Sequence, residues 1–284
     1  SDNNIVNRFT EKAELLLQKS KRKFKTFKLE KPKLYLAAKI AVGTAIAGVI
    51  GILLMAVLVY KGTFGALPTY AELKNIRNHT ASEVYDKDGV LLGKYYVENR
   101  TNADFDEISP NIINALVATE DARFFEHGGI DVRAMMRVLF KSVLLSKKSS
   151  GGGSTLSQQL AKNLYPRKSF RMMTMLINKM REGFTARRLE KVYTKEELLK
   201  LYLNTVSFSE NIFGIKVASR RFFDKSPEDL TTEEAALLVG TLKGPSLYNP
   251  VRHPERATKR RNTVINQMSK FGNLSPEACD SLKN

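Results

Sequence analysis

Glu120-Asp-Ala-Arg123-Phe124-Phe-Glu-His127-Gly-Gly129 follows a helical pattern in which Ile113, Leu116, Val117 and Glu120 recur at i, i+3, i+4 and i+7. One face of a helix carries all four. That helix starts at Ser109-Pro110, an N-cap followed by proline at the first helical position. A carboxylate that closes an apolar stripe is partly desolvated, which favours its neutral form and makes it a usable proton acceptor. An ion pair between Glu120 and Arg123 at the helix end accounts for the same residues without any chemistry.

The helical spacing continues outward from this segment. It predicts helices over 131–145, 155–164, 171–192, 195–204, 211–222, 231–242 and 254–270. On the N-terminal side, Glu83 to Tyr96 gives two short strands around a turn at Asp88-Gly89. Strand signals after residue 100 are few, and there is no internal repeat. The expected architecture is a mainly α domain over 106–275, a juxtamembrane segment with a β-hairpin over 61–105, and the start of a linker over 276–284.

Charge and hydropathy set the remaining boundaries. From Ile40 to Tyr60 no residue is charged, a length that matches the ~20 residues a helix needs to cross a bilayer core. The apolar run is too long, and begins too far into the chain, for a cleaved signal peptide. Residues 1–39 form a basic tail with eleven Lys/Arg against four Asp/Glu, which is +7 of the chain's +17. Lys61 alone follows the span closely. The positive-inside rule then puts the N-terminus in the cytoplasm and residues 61–284 outside. A charge of +17 calls for nucleic acid, an anionic membrane surface or a phosphate-bearing substrate. With this orientation the tail is a topology signal lying on anionic lipid rather than a nucleic-acid surface. One cysteine, Cys279, and three histidines exclude a disulfide framework and make a zinc site improbable.

Four more segments carry side chains suited to a sugar or phosphate substrate. In Gly151-Gly-Gly-Ser154-Thr155-Leu-Ser-Gln158-Gln159-Leu-Ala-Lys162-Asn163, Thr155 and Gln158 fit a capping box behind a glycine loop. Free amides at such a start suit an anion or sugar oxygens, although the loop also serves as a plain connection. It is not a P-loop, since no Gly-Lys-Ser/Thr follows the glycines. Gln158 and Gln159 are neutral hydrogen-bonders of the kind sugars need, and Lys162 follows one turn on. Next comes Lys179-Met-Arg-Glu182, where a second carboxylate among cations is a structural ion pair or a substrate ligand. Tyr202-Leu-Asn204 and Lys243-Gly-Pro-Ser-Leu-Tyr-Asn249 pass as packing and turn sequence when read alone.

Taken in this order, Glu-Asp-x-x-Phe-x-x-His-x-Gly, Gly-Gly-Ser-Thr-x-x-Gln-Gln-x-x-Lys-Asn, Lys-x-x-Glu and Tyr-Leu-Asn resemble the peptidoglycan glycosyltransferase family. That domain occurs in class A penicillin-binding proteins and in monofunctional transglycosylases. The resemblance covers roughly 82–275 and implies a lysozyme-like helical fold. It implies polymerisation of lipid II into β-1,4 glycan at the outer face of the bacterial cytoplasmic membrane, by inverting transfer with undecaprenyl pyrophosphate leaving. Glu120 takes the place of the general base. Glu182 takes that of the second family glutamate, which handles acceptor or leaving group.

The resemblance also places Arg123, Arg137 and Lys162 at basic positions around the two substrate sites, together with one of Arg167, Lys168 and Arg171, and puts Lys168 and Lys179 in the substrate-binding set. Asp121, Phe124, Ser154, Thr155, Gln158, Gln159 and Asn163 complete the substrate set, with Phe124 and His127 closer to packing residues. No cofactor is required, although some relatives respond to divalent cations. The implied partners are lipid II, the nascent strand, the membrane, moenomycin-type inhibitors and a cell-wall synthesis complex. The family's third motif usually begins Arg-Lys, whereas Asn178-Lys179 stands here. The Met-rich stretch Leu164–Ile177 suits a lipid-facing surface or core packing. Arg260-Arg-Asn-Thr-Val-Ile-Asn-Gln-Met resembles the linker of a bifunctional protein, so a transpeptidase domain is expected to have followed it. The rival readings are a lysozyme-like hydrolase or lytic enzyme, which uses its Glu as an acid, and an inactive cell-wall scaffold.

Overall fold

The computed structural model describes residues 18, 32–76, 82–85, 91–95, 102–144, 152–171, 173–209 and 211–283. The chain divides into two units, residues 1–61 and 62–284. The first contains α1 (Pro32–Tyr60), whose 29 residues are almost all apolar. At ~1.5 Å per residue it is longer than the ~30 Å apolar core of a bilayer. It begins at Pro32, ahead of the uncharged run, so Lys33 and Lys39 lie within the helix. The helix is long and apolar enough to cross a membrane. Most of the basic tail lies outside the described residues.

In the second unit, α2 (Tyr70–Lys74) leads to β1 (Ser82–Tyr85) and β2 (Leu91–Tyr95), paired antiparallel with Ser82 opposite Tyr95. Asp88-Gly89 lies outside the described residues. The helical body follows as α3 (Pro110–Glu120), a single 3₁₀ turn at Phe124–Glu126, α4 (Val132–Leu144), α5 (Leu156–Leu164), α6 (Thr174–Val192) and α7 (Lys195–Thr205). It closes with α8 (Ile215–Phe223), α9 (Thr232–Thr241), α10 (Pro254–Lys270) and α11 (Pro276–Ser281). Where the helical spacing begins at 211, a small second sheet pairs β3 (Ser207–Ser209) with β4 (Ile212–Phe213). Gly214 then turns the chain into α8 at φ +84°, a conformation that glycine adopts without a Cβ clash.

Leu116, Leu160, Leu189, Leu203, Leu238 and Val264 belong to one continuous core to which α3, α5, α6, α7, α9 and α10 all contribute. The sequence stripe on α3 is displaced from its centre. Ile112, Ala115, Leu116 and Ala118 are the buried residues, whereas Ile113 and Val117 are only partly covered. Glu120, on the 113–117 side, therefore sits where the core meets open surface. Residues 260–268 are not a linker. They form the middle of α10 and bury Val264, Ile265 and Met268, because Met268 lies three residues from Ile265 and four from Val264 on one helix face. In the stretch expected to begin a linker, α11 buries Cys279 in the same core. Met173 and Met175 are exposed, as are Val132, Met135, Met136 and Phe140 on α4, so these methionines are not core packing. Met172 lies outside the described residues.

Two polar devices position the site. Gly129, at φ +92°, passes so close to α6 that a Cβ there would meet the Ala186 carbonyl carbon and oxygen at 2.9 Å. Asn204, buried on α7, accepts from the Ala103 N–H at 2.9 Å and donates to the Ala103 carbonyl at 2.8 Å. This two-way bond ties the segment before α3 to the helix bearing Tyr202. Asn204→Ala leaves both backbone groups without a partner. We expect a loss of about 2–4 kcal/mol, read in a thermal melt as a midpoint roughly 5–10 °C lower. An unchanged midpoint contradicts this role.

Candidate active site

Glu120 ends α3 with its side chain 19% exposed. Its Oε2 accepts from Gln159 Nε2 at 3.0 Å. Gln159 Oε1 in turn accepts from the Tyr202 hydroxyl at 3.1 Å. Tyr202 is fully buried, and burial, followed by the nearby Glu120 charge, pushes its phenol far above the ordinary value. Its hydroxyl therefore stays protonated and donates, which fixes the Gln159 amide with its NH₂ toward Glu120. Arg260, from α10, approaches the other oxygen, Nη2 to Oε1 3.6 Å. The ion pair expected as the bland alternative, Glu120 with Arg123, does not form. Arg123 is held by Asp131 through bonds of 2.6–3.0 Å.

The turn after Glu120 ties the first motif to the second. Asp121 is buried, and its Oδ2 accepts from the Leu156 N–H at 3.0 Å, satisfying one of the open amides at the start of α5. His127 Nε2 lies 3.0–3.1 Å from both Asp121 oxygens, while Nδ1 accepts from the Gly129 N–H at 3.2 Å. That pairing places a ring proton on Nε2, donated to Asp121. Thr155 and Gln158 form the capping box that the sequence predicts, and Thr155 also donates to the Gly129 carbonyl at 2.7 Å. Asp121, Thr155 and Gln158 thus have their polar atoms turned to the protein itself, whereas Gln159 faces Glu120.

A second carboxylate cluster lies on α6. Glu182 is 5% exposed and meets Arg167 Nε at 2.7 Å and Lys179 Nζ at 2.8 Å. Burial acts to raise its pKa, but the two cations outweigh it and hold the carboxyl below its ordinary value. Lys179 also donates to Ser154 at 2.8 Å, joining the glycine loop to this cluster. Of the three basic residues left open, Arg167 is the one on Glu182. The backbone of Lys168 is clasped by Asn178, which accepts from its N–H at 3.2 Å and donates to its carbonyl at 2.8 Å. Asn178 is thus a buried backbone staple. Arg171 is exposed.

The remaining expected residues are scattered. Phe124 is in the core, with Lys195 Nζ 4.3 Å above its ring. Lys162, Asn163 and Arg137 are exposed. Arg123 lines an open depression of about 340 Å³ with Glu126, Ile130, Asp131 and Arg133, in which Glu120 takes no part. Among the described residues, no group of three or more His, Cys, Asp or Glu side chains could hold a metal ion. The sequence reading missed Arg260. Its signal was present, since Arg260 falls on the face of α10 that buries Ala257, Val264 and Met268, and a charge on a buried face implies a partner.

A family model described as Transglycosylase matches residues 88–269. Penicillin-binding protein 1F of Bacillus subtilis is 35% identical over 251 residues, 88% of this chain and 33% of that protein. Penicillin-binding protein 1A of Aquifex aeolicus is 36% identical over 242 residues, 85% of this chain and 32% of that protein. Penicillin-binding protein 1A of Escherichia coli is 35% identical over 219 residues, 76% of this chain and 25% of that protein. A crystal structure of penicillin-binding protein 1A from Haemophilus influenzae aligns with 74% of this chain and 21% of that one, at 21% identity and a TM-score of 0.42. The chain spans about a third of the length of the first two of these relatives. With the family model covering more than half of its residues, the chain belongs to the transglycosylase family.

Proposed function

We propose that this chain is a peptidoglycan glycosyltransferase that polymerises lipid II at the outer face of the cytoplasmic membrane, with α1 as a single-pass anchor and the N-terminus inside. The observation that carries this reading is the Glu120 carboxylate, half-sheltered, hydrogen-bonded by Gln159 of the second motif and faced by Arg260. A carboxylate at the core boundary with one oxygen bonded by a neutral amide and a cation beside the other suits a base more than an acid, which favours polymerisation over lysozyme-like cleavage. The acceptor's GlcNAc 4-hydroxyl attacks C1 of the donor MurNAc. Glu120 takes the hydroxyl proton as the new bond forms on the face opposite the leaving pyrophosphate. No covalent sugar–enzyme intermediate is needed, and configuration inverts.

Glu182 has a different part. Its carboxyl is held ionised by Arg167 and Lys179, and a carboxylate so stabilised is a poor proton carrier. It instead orders two cations for the charge that develops on the pyrophosphate. Moenomycin-type inhibitors, which resemble the lipid-linked donor, would occupy the same groups. The exposed Val132, Met135, Met136 and Phe140 on α4 and the exposed Met173 and Met175 suit a substrate that stays in the membrane.

Incubation with lipid II tests the reaction. The parent should yield glycan polymer, and Glu120→Gln should polymerise about 10²–10⁴-fold more slowly. Digestion of finished glycan without polymerisation supports the hydrolase instead, and a parental rate for Glu120→Gln removes the base assignment. The Glu182 cluster gives a pH prediction. Because its folded pKa lies below the ordinary 4.5, its contribution to stability is present above that pH and is lost as pH falls through the folded value. Thermal midpoints measured between about pH 6 and pH 3 should fall less steeply in Glu182→Gln than in the parent. Parallel curves would show that the pair contributes no acid dependence.

A further inference from the structure

Arg260 is bound more loosely than the other arginines that meet a carboxylate. Arg167 and Arg123 approach their carboxylates to 2.7 Å and 2.6 Å. Arg260 Nη2 stops 3.6 Å from Glu120 Oε1, too far for a hydrogen bond. Its Nε is buried without a hydrogen-bond partner. A guanidinium on a helix face that buries Ala257, Val264 and Met268 is costly unless its charge is used. Among the described residues Glu120 is the one carboxylate within ion-pair reach of it.

The route to that position is built into α9. Gly240 faces α10 where the stem of Arg260 runs, and a Cβ there would stand 3.2 Å from Arg260 Cγ and 3.5 Å from the Arg261 nitrogen. A methyl group at 240 would press on that stem, so the glycine gives it room as its head reaches the end of α3. Glu120 is faced by Arg260 from α10, by neutral Gln159 from α5 and, behind Gln159, by Tyr202 from α7. Asp121, its chain neighbour, turns its carboxylate to His127 and Leu156.

The geometry points to Arg260, admitted by Gly240, as a positioning residue for Glu120, an inference that rests on reading Glu120 as the base. Gln159 occupies Oε2. Arg260 supplies a charge beside Oε1 without filling its lone pairs, so Oε1 stays open to the acceptor hydroxyl. A closer bond, such as those on Glu182, would compete with the proton that Glu120 must take. No residue of the sequence motifs fills this role.

Polymerisation kinetics and thermal melts on the full chain test it, using lipid II as substrate. Arg260→Met should lower kcat by about 10–100-fold with little change in KM, because the residue acts on the base rather than on bound sugar. Arg260→Lys should recover most of kcat. In a Glu120→Gln background, Arg260→Met should cost little more, since the group through which it acts is gone. Gly240→Ala, which keeps Arg260 but crowds its stem, should lower kcat in the same direction, and it decides the matter should Arg260→Met fail to fold. Parental kcat in a folded Arg260→Met, or in Gly240→Ala, overturns the inference, as does an equal further loss in the Glu120→Gln background. If Glu120→Gln is inactive while Arg260→Met is parental, only this inference falls. If Glu120→Gln runs at the parental rate, the reading beneath it falls as well.

Discussion

The buried carboxylate of Asp121 accepts from the Leu156 amide at the head of α5 and from His127 behind it. It locks the end of α3 to the start of α5. Everything at the site is referenced to that joint. With α5 capped there, Gln159 emerges within its first turn against Glu120. Thr155, capping the same helix, reaches the Gly129 carbonyl, and Gly129 in turn lies against α6, where only a residue without a Cβ fits. Three helices that carry the first, second and third motifs are therefore held in register by polar groups whose bonds are internal. Buried polar groups of this kind carry a heavy penalty if any one partner is lost.

The two glutamates sit in different environments of one fold. Glu182 is ion-paired with Arg167 at 2.7 Å and Lys179 at 2.8 Å, which hold its carboxyl below the ordinary pKa. Glu120 has one neutral hydrogen bond and one cation at a looser 3.6 Å. Environments that treat two carboxylates differently are the usual means of separating an acid–base group from an electrostatic one. The difference here is set by geometry. Arg167 and Lys179 close directly on their carboxylate, whereas Arg260 reaches Glu120 from a helix far along the chain.

Much of this was legible in the residues. Thr155 and Gln158 announced their capping box, Ser109-Pro110 the start of α3, and the apolar run at 40–60 the long helix. Glu120 and Gln159 stood out because their motifs occur together. What was not legible depended on direction and on distance in sequence. Phe124, closer to a packing residue in the sequence, is in the core, whereas Asp121 lies in a motif that names it as a site residue, yet the turn after α3 points it under α5. Arg167, Lys168 and Arg171 could not be separated because the stretch before α6 is irregular, and no periodicity gives side-chain direction there. Asn178 settles that backbone by clasping Lys168. The Arg260 stretch, taken for a linker, held a charged residue on an apolar helix face, the one sequence sign that it was buried and paired.

In the proposed reaction Glu120, held by Gln159 and Arg260, receives the acceptor's proton while the cations about Glu182 receive the pyrophosphate. A structure of the full chain with an unreactive lipid-linked disaccharide pyrophosphate in both subsites tests this. The acceptor 4-hydroxyl should lie within about 3.2 Å of Glu120 Oε1 and the pyrophosphate among Lys162, Arg167 and Lys179. A pyrophosphate bound against Glu120, with the hydroxyl directed to Glu182, would contradict it.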